Sequence, residues 1–226
     1  MHSRKLLWAS FPIAVISYCI TRTTSVGIIV KPIPILILAA IVWPLPSRLT
    51  KHLILTGLSI SMVGDVILEI GYITAAVALF SLVMLLYALT FTLDNLKCHS
   101  KIAFAFLAFG FGLYCLLYLY LGDQRISGAI YQLIIVIMLW RAAALIAISP
   151  WQLRTTIWAF GGAMGIALNG ILYAVDLYLF PVHRDLVITV YYLGQMAIVV
   201  YLLQIQMTIE KQQQLKPIRK ENQTYA

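Results

Sequence analysis

Charge is what this 226-residue sequence has least of: Asp, Glu, Lys and Arg make up 11% of it, and hydrophobic residues 62%. Soluble domains run at about 25% charged, so a soluble enzyme and a disordered region are both excluded. Cysteine is scarce. Cys19, Cys98 and Cys115 form neither a paired framework nor a close metal-ligand spacing, which excludes a disulfide scaffold and leaves the redox compartment open. The four histidines (His2, His52, His99 and His183) fall in the tail, at span edges or in loops, and no His-x-x-x-His or Glu-x-x-His pattern occurs. No metal site or cofactor is therefore expected. Neither a Gly-x-Ser-x-Gly elbow nor a phosphate-binding glycine loop is present, which removes two common hydrolase and nucleotide chemistries. Acidic residues are outnumbered, giving a net charge of +8. The basic residues are scattered between apolar runs instead of gathered on one face, so they point to membrane topology and not to nucleic acid.

What is there is long apolar runs. A helix needs about 20 such residues to cross a bilayer, and eight runs qualify: 6–21, 25–43, 52–69, 72–93, 102–121, 127–148, 155–175 and 186–207. They are solidly apolar and do not alternate, which argues against a barrel. Short breakers separate them, among them Pro44-Leu45-Pro46-Ser47, Asp94-Asn95, Gly122-Asp123, Ser149-Pro150 and Pro181-Val182. The expectation is an all-α, polytopic transmembrane helical bundle over residues 1–207, with a polar, frayed tail over 208–226. The first run follows Arg4 and Lys5 but lacks a small-residue cleavage site, so it reads as a retained span. Eleven basic residues fall on the side of the termini and three (Arg22, Arg125, Arg184) on the other, which predicts both termini cytoplasmic. Asn222-Gln223-Thr224 fits a glycosylation acceptor, but on a cytoplasmic tail it goes unused. The membrane is the endoplasmic reticulum in a eukaryote or the inner membrane in a bacterium.

Lys31, Asp65 and Arg141 lie inside the second, third and sixth spans, with Glu69 at the outer end of the third. A charge near the bilayer centre costs about 2.5–3.5 kcal/mol on insertion scales, so such residues face the interior and find partners. Two readings stay open. One is an internal salt bridge of Asp65 with Lys31 or Arg141; the other is a polar cavity for a headgroup, substrate or proton. Lys31 and Asp65 share the outer half, and Arg141 reaches up from the cytoplasmic side on a long stem. Ser61, Asp65 and Glu69 repeat at i, i+4 and form one polar stripe. Gly161, Gly165, Asn169 and Tyr173 form another, whose glycines suggest close helix packing. Tyr191, Tyr192 and Gln195 read as an inward hydrogen-bonding patch on the eighth span.

At these residues the sequence resembles the lysoplasmalogenase (YhhN-like) family of eight-span membrane proteins. The pieces are Lys31-Pro32-Ile33-Pro34, Gly64-Asp65, Tyr87-Ala88-Leu89-Thr90-Phe91, Trp140-Arg141 and Tyr191-Tyr192-Leu193-Gly194-Gln195, in order on the matching spans. The resemblance implies hydrolysis of the vinyl ether bond of a lysophospholipid, releasing a fatty aldehyde and a glycerophospho-base. That chemistry starts with proton transfer to the β-carbon, then adds water to the oxocarbenium ion, and ends as a hemiacetal collapses. It calls for a carboxylic acid that keeps its proton, a state favoured by apolar surroundings and opposed by a neighbouring lysine. On this reading Asp65 is the general acid and Lys31 and Arg141 bind the phosphate. Tyr191, Tyr192 and Gln195 orient glycerol or water.

The sequence departs from the family pattern in two places. Where the family has a Ser-Asp pair in span seven, this chain reads Asn169-Gly170, and Met84 replaces a histidine of span four. Asn169 can hold a water but cannot accept its proton. Asp176 lies on the same face about 10 Å further along the helix and reads as a solvated loop acid. The alternative function is a lysolipid-binding membrane protein without turnover. A transporter is disfavoured, because neither an internal repeat nor a pair of broken helices is visible.

Overall fold

A computed structural model describes the backbone of residues 2–97, 99–147 and 153–224, and the side chains of 4–97, 99–147 and 153–211. The described residues form helices and connecting turns, with no strand among them: α1 (His2–Thr21), α2 (Gly27–Val30), α3 (Ile33–Val42), α4 (Leu49–Glu69), α5 (Ile73–Asp94), α6 (Ser100–Leu117), α7 (Arg125–Ile146), α8 (Leu153–Tyr178) and α9 (Arg184–Thr224). The six from α4 to α9 are long and apolar enough to cross a bilayer, the make-up of an integral membrane protein. Their turns fall at the expected breakers, except that Ser149-Pro150 lies outside the described residues. Cys98 lies outside them too, while Cys19 and Cys115 are free.

The expected second span is not one helix. It breaks at Lys31-Pro32 into α2 and α3. Pro32 and Pro34 have no N–H, so the carbonyls of Ile28 and Val30 lose their regular i+4 donors and the ladder cannot run through. The break is single, and no second broken helix pairs with it among the described residues. Beyond Met207, α9 runs on to Thr224. Glu, Lys and Gln are good helix formers, and extending an existing helix avoids the cost of nucleation.

Helices α9 and α7 form the centre. On α9, Tyr191, Tyr192, Gln195, Ile198, Val199, Tyr201 and Leu202 are all buried. It packs most closely on α8, where a Cβ added to Gly165 would stand 2.8 Å from Gly194 Cα. Gly162 meets Ile198 in the same way. Gly161, grouped with Gly165 from the sequence, has nothing within 4 Å of an added Cβ and does not pack. Helix α6 is the opposite extreme. Only Gly110 and Leu117 are buried on it, and it rests principally on α7. Four connections (22–26, 70–72, 118–124 and 179–183) share one end of the bundle, called here the Glu69 end. At the opposite end Lys51, which reads as a loop cation in the sequence, is buried and donates to the carbonyls of Trp43 and Leu45 at 2.7 and 2.6 Å.

Candidate active site

A cavity of about 570 Å³ opens near the Glu69 end among α1, α4, α5, α7, α8 and α9. Its polar wall begins at the helix break. Lys31, buried at the end of α2, sends Nζ to Glu69 Oε2 at 2.8 Å, and the Tyr18 hydroxyl donates to the same oxygen at 3.0 Å. The ion pair therefore joins Lys31 to Glu69, not to Asp65. Asp65, one helical turn back on α4 and 2% exposed, accepts a hydrogen bond on Oδ2 from the Tyr191 hydroxyl at 3.1 Å. The Tyr192 hydroxyl donates to the Lys31 carbonyl at 2.6 Å, which ties α9 to the interrupted helix. Below Asp65 the chain of polar groups continues inward. Tyr87 donates to Gln195 Oε1 at 2.7 Å, and Gln195 Nε2 donates to Ser61 Oγ at 3.2 Å. Met84 is buried in the apolar core one turn from Tyr87.

The far wall comes from α8 and the start of α9. Asn169 lines the cavity, but its Nδ2 donates to the Val187 carbonyl at 2.9 Å, so the amide also ties α8 to α9. Asp176 is not a free loop acid: its Oδ1 accepts from the Val182 amide at 2.9 Å and fixes the α8–α9 turn. Two arginines at the rim complete the cavity, Arg22 and Arg184. Arg22 Nε approaches Asp185 Oδ1 at 3.2 Å without hydrogen-bond alignment, and Arg22 Nη1 is buried with no partner among the described residues. That nitrogen, with the Arg184 guanidinium and the Lys31 ammonium, gives one end of the cavity the donors an anion such as phosphate requires.

Arg141 is not among them. It lies sixteen residues down α7, about 24 Å below the start of that helix, whereas Asp65 is only about 6 Å from the end of α4. Even a fully extended arginine cannot cross that difference. Its guanidinium instead donates to the carbonyls of Asn95 and of Lys97, the latter at 3.2 Å, in the α5–α6 turn. The adjacent Trp140 Nε1 donates to the His99 carbonyl at 3.2 Å. Of the expected site residues the structure thus gathers Lys31, Asp65, Asn169, Tyr191, Tyr192 and Gln195 around one cavity and the polar chain beneath it, and separates Arg141 from them.

Tyr18, Glu69, Arg22 and Arg184 are the additions. Arg22 and Arg184 are visible in the sequence only as loop cations, and Tyr18 sits in a first span that holds no charged residue to mark it. Glu69 is legible as the third member of the α4 stripe, but its partner is not.

No curated protein matches the chain at a significant level, and no solved structure does. The model of the YhhN family does match, over residues 26–202. That stretch runs from the turn before α2 to Leu202 and holds every residue of the cavity wall except Tyr18, Arg22 and Thr23. On that match, which covers most of its length, the chain belongs to the YhhN family.

Proposed function

We propose that the protein hydrolyses the vinyl ether bond of lysoplasmalogens, yielding a fatty aldehyde and a glycerophospho-base. In this reading all eight apolar segments cross the membrane, both termini face the cytoplasm, and the cavity opens toward the other side. The glycerophosphate enters at the Glu69 end and meets Arg22, Arg184 and Lys31. Asp65 gives its proton to the β-carbon of the vinyl ether, and the C=C electron pair forms the new C–H bond. The ether oxygen shares the resulting positive charge as an oxocarbenium ion, and the Asp65 carboxylate stabilises it. Water adds to the α-carbon, the one bonded to the ether oxygen, and returns a proton to Asp65. The hemiacetal then collapses: its C–O bond to the glycerol breaks, the glycerol oxygen takes the proton from Asp65 and leaves as the alcohol, and the hemiacetal hydroxyl gives its own proton to Asp65 as the aldehyde C=O forms.

The observation that carries this reading is the division of labour in the α4 stripe. The Lys31 ammonium is engaged by Glu69, so the group that touches Asp65 is a phenol. Tyr191 occupies Oδ2, which leaves Oδ1 to deliver a proton. Purified protein in detergent should release aldehyde from a lysoplasmalogen, and Asp65→Asn should reduce the rate by about 10²–10⁴-fold, the usual worth of a general acid. Release unchanged by that substitution removes Asp65 from the chemistry.

A second reading, a lysolipid binder without turnover, is favoured by Asn169-Gly170. The Asn169 amide is committed to the Val187 carbonyl, and position 170 offers no carboxylate. Tight binding of a lysoplasmalogen with no aldehyde release, in wild type as in Asp65→Asn, selects it.

A further inference from the structure

Next to the polar cavity lies a second one of about 590 Å³, walled by α5, α6, α7 and α8. Its surface is mostly apolar, with Ala78, Leu113, Leu117, Ile130, Ala174 and Leu177 typical of the lining. Five residues (Ile73, Val77, Tyr131, Gly170 and Tyr173) belong to the walls of both cavities, so the partition between them is one side chain thick. Gly170 stands close against that partition: a Cβ there would be 2.9 Å from the Tyr131 hydroxyl oxygen, so the tyrosine would have to shift. The outer flank is α6, which rests principally on α7 and packs little against α5 and α8.

We infer that this second cavity is a chain site: it holds the single hydrocarbon chain of an amphiphile whose polar end occupies the Asp65 cavity, with Tyr131 and Gly170 at the passage between them. The inference rests on the lipid reading of the first cavity but not on turnover. Volume limits the occupant. A methylene takes about the space of a water, ~30 Å³, so one chain of sixteen carbons needs roughly 480 Å³ and fits, whereas two need roughly 960 Å³ and do not. The ligand class is therefore a lysolipid and not a diacyl phospholipid. Entry from the side past α6 lets the chain pass from bilayer to cavity without crossing water.

The test uses the full chain in detergent and a palmitoyl lysophosphatidylcholine carrying a diazirine at mid-chain, which an ether hydrolase does not consume. Illumination followed by peptide mass spectrometry should place adducts on the second cavity's walls, in the peptides around Ile130 and Ala174. Excess unlabelled lysophosphatidylcholine should remove them, and excess dipalmitoyl phosphatidylcholine should not. Ala174→Trp, which fills only the second cavity, should cut labelling about tenfold; Leu107→Trp on the exposed face of α6 should leave it unchanged. Adducts confined to lipid-facing positions such as Phe104 and Phe109 in the wild-type protein, or equal competition by the diacyl lipid, overturn the inference whether or not any variant folds. Saturable cavity labelling without aldehyde release from a lysoplasmalogen upholds the chain site and defeats the hydrolase reading. Aldehyde release with no cavity labelling does the reverse.

Discussion

Replacing Lys31 by Met tests whether the ion pair at the helix break holds the site together. The Lys31 and Glu69 side chains are 9% and 21% exposed, and their charged atoms meet at 2.8 Å. Removing one partner of a buried pair costs about 3–5 kcal/mol, because the survivor is left charged and uncompensated. Glu69 keeps the Tyr18 hydroxyl and some access to solvent at the rim, so the lower figure applies, about 3 kcal/mol. At roughly 2–4 °C per kcal/mol for a chain of this size, the Tm in detergent should fall by about 6–12 °C. Adding Glu69→Gln removes the orphaned charge and keeps an acceptor for Tyr18. The double variant should therefore recover to within about 1 kcal/mol of wild type, far short of the sum of the two single losses.

The assay is thermal unfolding of the four proteins of the cycle, followed by intrinsic fluorescence, alongside lysophosphatidylcholine binding. Stability and binding should part company: the double variant regains its Tm but not its affinity, since the ammonium proposed to meet the phosphate is gone. Additive losses in the cycle would refute the account of Lys31 and Glu69 as mutual partners. Full binding by Lys31→Met would refute the placement of the headgroup.

Arg141→Met should cost about 1–3 kcal/mol by stripping a donor from the buried Asn95 carbonyl, and lysolipid affinity should not change, as equilibrium binding will show. Gly194→Ala should destabilise by about 1–3 kcal/mol, since its Cβ would lie 2.9 Å from the Ile166 backbone nitrogen, whereas Gly161→Ala meets nothing and should gain up to about 1 kcal/mol of helix propensity; thermal unfolding reads both. Gly170→Asp alone should lose stability against the Tyr131 hydroxyl. Paired with Tyr131→Phe, which removes the 2.9 Å contact and leaves ring carbon at 3.3 Å, it should regain that stability and raise aldehyde release above wild type.

Spans and turns were legible in the sequence because apolar length and breakers are local properties, and all six helices from α4 to α9 fall on expected runs. The break at Pro32 was written in the sequence as well, in two prolines that cannot donate, yet hydropathy averages over them and reports one span. Partner choice was not legible. Depth counting put Lys31 in the same half as Asp65, and the contact it makes with Glu69, one turn further along α4, is not recorded by spacing. For Arg141 depth itself decides: sixteen residues down α7 put it beyond the reach of its stem to Asp65, and its guanidinium meets the carbonyls of the α5–α6 turn instead. Arg22 and Arg184 belong to the cavity through the folding back of two loops, which no periodicity records. Glycine spacing failed by one residue for a similar reason: the i, i+4 row named Gly161 and Gly165, while the α8–α9 contact uses Gly162 and Gly165.

The missing carboxylate at position 170 constrains any chemistry the cavity performs. Two other acids lie within it besides Asp65, and neither is placed to serve as a base. Glu69 Oε2 accepts from both Lys31 and Tyr18, so taking a proton from water there means surrendering an ion pair. Asp176 is held by the Val182 amide at the far turn, and Asn169 has no basic atom. The proton lost by water must then go to the group that has just given one up. A single carboxyl acting as acid and then as base makes the two steps inseparable. Substituting Asp65 should abolish protonation and hydration together, with no intermediate trapped between them. A chain with a second carboxylate at 170 could be stopped after the first step, and this one, if Asp65 works alone, cannot.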